Sequence, residues 1–216
     1  MLVKEEDLVA SGKQRSVYRF PNDEQLLLKV TQQDSGLEQQ PGLRGHFKSY
    51  LPYARYRHIF CEIDHETRIQ MRALLKGIRS PIAPTRGVVS LKTTLGLVVK
   101  QISQKDGNIG LTLNELFAQG KFDEKALTAM NEFAQSLFTL GVVAGDLHTK
   151  NIVWGDFNGE LVPYIVDGYG DRNFVPLKTY IPWFRKRKLN KCFTHMAKQI
   201  GCQWLRSERV FVRQDT

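Results

Sequence analysis

The sequence predicts an α+β chain of two small lobes. The first, over 1–103, is an antiparallel sheet with one helix; the second, over 104–216, is mostly helical with short strands. Three observations predict it. Before Lys105 the apolar residues lie in short β-type runs around a single helical stretch, and after it they recur at helical spacing. "DGNIG" (106–110) reads as a linker where the character changes. A length of 216 residues, 42% hydrophobic and 25% charged, suits one good core or two small lobes sharing a cleft.

The elements follow in order. "LVASGKQRSVYRF" (8–20) has β-formers at both ends of a small polar middle, "PND" turns the chain, and "EQLLLKVT" (24–31) is a second run. Residues 32–45 carry no apolar periodicity and read as an irregular insertion. A helix is expected over roughly 54–77, stopped by Gly77, and "TRGVVSL" and "LGLVVKQI" form a hairpin around "KTT". Beyond the linker, Thr112 and Glu115 make a Thr-x-x-Glu capping box for a short helix that Gly120 closes. Asp123 caps a longer helix ending at Gly141, whose Leu127, Met130, Phe133, Ala134, Leu137 and Phe138 share one face and read as core. "IVW", the turn "GDFNGE" and "LVPYIVD" are short strands, and a last helix is expected around 191–205. Trp154 and Trp183 are read as core or lobe-packing residues.

Composition narrows the function. No basic, apolar and small leader opens the chain, and no apolar run approaches a membrane span. Cys61, Cys192 and Cys202 are few, odd in number and outside zinc-like spacings, which points to reduced thiols in the cytoplasm. A net charge of +9 suggests an anionic partner. The basic run Arg185, Lys186, Arg187 and Lys188 is either a solvated face or the seat of such a partner. Nucleic acid is not expected, because no recognition module is present and the aromatics are not interleaved with that run.

The chemistry concentrates in "VAGDLHTKNIVWGD" (143–156), where four polar side chains interrupt an apolar run. Alone, Asp146 would be an ordinary surface aspartate. Phosphoryl transfer, however, needs hard oxygen ligands for Mg²⁺ and a carboxylate that orients the attacking hydroxyl. Asp146 and Asn151 lie five apart in one tight loop, so Asp146 can take the hydroxyl proton while the Asn151 amide oxygen ligates a metal. A hairpin-length segment later, Asp167 returns beside Asn151 as the charged metal ligand.

This loop resembles that of the protein-kinase-like superfamily. "GDLHTKN" is closest to the aminoglycoside and choline phosphotransferase form, and "VDGYG" stands where those enzymes have Asp-Phe-Gly. The resemblance implies ATP and Mg²⁺, and a phosphate cradle at Gly12 and Val17 with Lys29 on the α and β phosphates. Ala10 and Arg15 occupy positions that are glycine in protein kinases, and by itself "SGKQRSV" is matched better by a plain hairpin turn. The resemblance further implies a helical glutamate paired with Lys29. Glu62 and Glu66 are candidates, and Glu66 is preferred for its distance to "SPIAP". Adenine would meet backbone groups of Lys100, Gln101 and Ile102, and Lys150 would neutralise the γ-phosphate. His148 is read as orienting the loop through a backbone hydrogen bond.

"LVPYIVDGYGDRNFVPLKTYIPWFRKRKLNKCF" is similar to the YrbL family, as are "GLVVKQI" and "LTLNELF" in order, so the likeness covers most of the chain. It implies a kinase-like fold shortened after the metal Asp, without a peptide-binding helical region. The expected activity is therefore transfer to a small-molecule or glycan hydroxyl. A protein kinase, or a nucleotide-binding pseudokinase acting as an adaptor through its basic C-terminal region, is the alternative.

Overall fold

A computed structural model describes residues 4–12, 15–31, 56–92, 94–170 and 181–214. Among these the chain is mixed α+β, with antiparallel sheets and four α-helices. It divides into two compact units, Met1–Ile63 with Pro84–Gln101, and Asp64–Ala83 with Ile102–Thr216. The expected insertion at 32–45 lies outside the described residues.

In the first unit, β1 (Leu8–Ser11), β2 (Arg15–Phe20), β3 (Asp23–Thr31), β4 (Thr85–Ser90) and β5 (Leu95–Lys100) form one sheet in the order β1-β2-β3-β5-β4. Its register sets Lys29 of β3 opposite Val17 of β2 and Leu97 of β5. Directly opposite residues point to the same side of a sheet, so these three share a face. On that face Leu27, Leu97 and Val99 pack with Ile59 and Ile63 from helix α1 (Arg57–Lys76). The buried stripe of α1 runs Ile59, Glu62, His65, Glu66, Ile69 and Ala73, a helical period in which three members are polar. Buried Glu and His are unusual and need partners.

The second unit holds the larger core. Its sheet is β6 (Leu111–Thr112), β7 (Ile152–Phe157) and β8 (Glu160–Ile165), and its helices include α2 (Leu113–Ala118) and α3 (Glu124–Leu140). The predicted local signals act as read. Thr112 and Glu115 complete the capping box, Asp123 accepts from Ala126 N–H, and Gly141 ends α3 at φ 72°. The expected "GDFNGE" turn is narrower than that: β7 continues to Phe157, and Asn158 (φ 54°) with Gly159 (φ 92°) alone reverse the chain. Two central residues with positive φ make the hairpin turn that matches strand twist, and Asn-Gly is its preferred pair.

The C-terminus departs from expectation. Helix α4 spans Pro182–Gln199, and the residues expected to end it instead form a hairpin of β9 (Cys202–Leu205) and β10 (Val210–Arg213). Pro182 suits a first helical position because it has no N–H to leave unpaired. The "CQWL" stretch alternates buried and exposed residues, putting Cys202 and Trp204 in the core, where Trp204 meets Phe193 and Phe211 at 4.7 and 4.8 Å between ring centroids. Asn131 of α3 ties the hairpin down, accepting from Phe211 N–H at 2.6 Å and donating to Phe211 O at 3.0 Å. Trp154 is core, as read; Trp183 is not, being 58% exposed.

Candidate functional site

The first unit carries a buried charge cluster. Lys29 Nζ stands 3.7 Å from Glu62 Oε2, and Arg15 Nη2 stands 2.6 Å from Glu62 Oε1. All three side chains are at least nine-tenths buried. The sequence preferred Glu66; the structure pairs Lys29 with Glu62, one helical turn earlier. The two glutamates share a face of α1, so position along the helix distinguishes them. Glu62 lies between Ile59 and Ile63, which face the sheet carrying Lys29, whereas Glu66 belongs to the part of α1 that packs in the second unit. Arg15, noted in the sequence only as a missing glycine, is thus a second cation on the same carboxylate.

The predicted cradle is partly committed to the fold. Gly12 N–H donates to Arg15 O at 2.8 Å and closes the β1–β2 hairpin, and a Cβ on Gly12 would meet nothing closer than 3.4 Å. Neither sterics nor φ requires glycine there. The next two residues lie outside those described. At the expected adenine segment, Lys100 N–H donates to Pro84 O, Gln101 N–H to Gln25 O, and Ile102 O accepts from Gly110 N–H. Those three backbone groups are occupied, so a base would have to use others.

In the second unit the polar interruption becomes a loop fastened by main-chain bonds. Gly168 O accepts from Gly145 N–H at 2.7 Å and Asp146 N–H at 2.8 Å, while Gly170 N–H donates to Val143 O at 2.9 Å. Val166 N–H donates to Asn151 O at 3.0 Å from the other side. The Asp146–Asn151 loop and the Asp167–Gly168 turn are therefore held against each other. Gly168 must be glycine: its φ is 79°, and a Cβ would stand 2.2 Å from Asp146 O.

Side chains finish the loop. A carbonyl can only accept, so the Asn151 amide turns its NH₂ to Asp146 O at 2.9 Å, which leaves its Oδ1 as the acceptor end. Asp167 Oδ1 accepts from Gly168 N–H at 2.6 Å. His148 Nδ1 accepts from Lys150 N–H at 3.2 Å and caps the short 3₁₀ turn Thr149–Asn151, the orienting bond read from the sequence. Its proton then sits on Nε2, 3.8 Å from Asp146 Oδ2. Asp146 and Lys150 are exposed.

Sequence reasoning did not single out His65. Its Nε2 accepts from Val143 N–H at 3.0 Å, anchoring the chain just before the loop, and burial, then Arg72, pushes its pKa down to about 4. The available signal was a histidine at helical spacing from apolar Ile69 and Ala73.

Among the described residues no three His, Cys, Asp or Glu side chains gather as a metal cage. Two oxygen donors, Asn151 Oδ1 and the Asp167 carboxylate, suit a hard divalent ion that completes its shell with phosphate and water, as Mg²⁺ does. They do not suit zinc.

The sequence matches the family described as PhoP regulatory network protein YrbL over residues 1–201. The chain belongs to the YrbL family. Two relatives named "Uncharacterized protein YrbL", from Escherichia coli (strain K12) and Shigella flexneri, are each 23% identical to it over 203 residues. In each case the similarity covers 91% of this chain and 86% of the relative. The YrbL match thus takes in both the Lys29–Glu62 cluster and the Asp146–Asp167 region. No helix among the described residues is long and apolar enough to cross a membrane.

Proposed function

We propose that the chain is an ATP- and Mg²⁺-dependent phosphotransferase with a kinase-like fold, acting on a hydroxyl of a small molecule or glycan. The observation that carries the reading is the main-chain fastening of the Asp146–Asn151 loop to the Asp167–Gly168 turn. It ties together the backbone that carries Asp146, Asn151 and Asp167, which supports assigning them the roles of base and metal ligands that phosphoryl transfer demands.

Asp146, exposed and steered by His148, takes the proton of the acceptor hydroxyl as its oxygen forms a bond to the γ-phosphorus. The bond from that phosphorus to the β–γ bridging oxygen breaks, and ADP leaves. Asn151 and Asp167 would hold Mg²⁺, which when bound neutralises charge on the phosphates. Lys29, kept in place by Glu62, is assigned the α and β phosphates, and Lys150 the γ-phosphate.

The test is ATP consumption across a panel of sugar and glycan acceptors. Asp146→Asn should lower turnover by about a thousandfold while retaining nucleotide affinity, and Asp167→Asn should lose Mg²⁺-dependent ATP binding. A wild type that binds Mg-ATP yet consumes none with any acceptor defeats the enzyme reading. The pseudokinase reading then takes its place. It draws on two observations of its own: Glu62 is shared with Arg15, and Gly12 N–H is already donated to Arg15 O.

A further inference from the structure

The start of α4 presents a surface that the core does not use. Trp183 and Phe184 pack edge to face at 4.9 Å between centroids, both exposed, with Ile181 exposed just before them. The buried residues of α4 begin only at Leu189. Between the aromatics and Leu189 lie Arg185, Lys186, Arg187 and Lys188, and the whole of α4 contains no acidic residue. Cations in the first turns oppose the helix macrodipole, so this arrangement costs helix stability.

The positive charge is compounded by α1. Guanidinium nitrogens of Arg72 and Arg185 both come within 3.0 Å of the point a Cβ would occupy on Gly141. Burial, then the neighbouring Arg72, pushes the Arg185 pKa below its ordinary value. Like charge is thus gathered where Arg72 and Arg185 approach Gly141, and Ile181, Trp183 and Phe184 add exposed apolar surface at the start of α4. An external anionic partner accounts for the charge, and an apolar phase accounts for the rest.

We propose that the first turn of α4 docks on an anionic lipid surface. Trp183 and Phe184 enter the boundary between headgroups and acyl chains, and Lys186, Arg187 and Lys188 meet the headgroup phosphates. A nucleic acid would satisfy the cations and stack on the aromatics, but it offers nothing to aliphatic Ile181 beside them, which hydrocarbon does. The contact is peripheral, and it does not rest on the phosphotransfer reading.

Trp183 makes the test direct. Trp154 and Trp204 are buried at 2% and 6% exposure, so vesicle-induced change in tryptophan emission reports on Trp183. Vesicles containing phosphatidylglycerol should shift emission to the blue and sediment the protein, whereas phosphatidylcholine vesicles should do neither. Neutralising Lys186, Arg187 and Lys188 to alanine together should weaken sedimentation on the order of 100-fold. Trp183→Ser with Phe184→Ser should weaken it by at least about tenfold. Trp183, Phe184, Lys186 and Arg187 are exposed and Lys188 is half-buried, none of them in the core, so circular dichroism should find every variant folded. Three results overturn the proposal: equal binding to phosphatidylcholine, undiminished binding by the serine variant, or binding to single-stranded DNA or polyphosphate in place of vesicles. Absence of binding to any of these surfaces overturns it as well.

Discussion

The Arg15–Lys29–Glu62 cluster and the Asp146–Asn151 loop hold their charges in opposite ways. In the first, three ionised side chains are buried together, so each depends on the others for replacing lost hydration. In the second, main-chain hydrogen bonds from Gly145, Asp146, Val166 and Gly170 set the shape, and the Asp146 carboxylate stays in water. The lesson is that a buried charge is part of the fold, while an exposed charge on a fastened loop is available for chemistry. Substitutions in the two regions should therefore separate stability from activity.

The sharpest break of that comparison is Glu62→Ala. It removes the carboxylate that two buried cations share and should lower unfolding free energy by about 3–5 kcal/mol in a denaturant titration. Loss of less than about 1 kcal/mol would mean that the cations reach water, and the contrast would fail.

His65 should give the next largest effect, read as pH dependence. Its pKa of about 4 in the fold lies below the ordinary 6.5, mainly through burial and then Arg72. Between those values the unfolded chain takes up a proton that the folded chain refuses, so stability falls as pH drops from about 6.5 to about 4. The loss is on the order of 3 kcal/mol, complete once the folded imidazole also charges. His65→Asn keeps an acceptor for Val143 N–H and should flatten this part of the profile. An unchanged slope would place the titration elsewhere.

Gly168→Ala tests the loop's backbone rather than its charges. With Asp146 O in the way, it should cost about 2–3 kcal/mol, against about 1 kcal/mol for Gly77→Ala, where φ is 62° but nothing lies within 4 Å. Asp146→Asn is the smallest: an exposed side chain should change stability by less than about 0.5 kcal/mol whatever it does to turnover. Equal costs for the two glycines would show that the turn yields, and the loop would no longer count as rigid.

Much of the second unit was legible because its signals are local. Thr112 with Glu115, Asp123 and Gly141 each act on groups within a turn or so of themselves, so sequence spacing carries the geometry. The Asn158–Gly159 turn is local too, although the sequence reading spread it over "GDFNGE" and cut β7 short. Spacing also marked Asp146, Asn151 and Asp167 as candidates, but the bonds that hold them come from Gly168 O and Val166 N–H. The rest was hidden because it depends on partners far along the chain. Glu62 and Glu66 are one helical turn apart and indistinguishable until β3 and α1 meet. Trp183 reads as core by residue type alone, and only the face that α4 turns inward leaves it in solvent. "CQWL" suits a helix or a strand, and Asn131 of α3, with the Phe193 and Phe211 rings, decides for the hairpin.

The amino-acid order alone determined where helices start and stop, which strands alternate, and which residue types are able to do chemistry, since these follow from steric and hydrogen-bonding preferences acting over a few residues. Only tertiary structure decided which glutamate faces Lys29, which tryptophan meets water, and which glycine must accept Asp146 at close range. Those choices are settled by burial, and burial exists only once distant segments have packed.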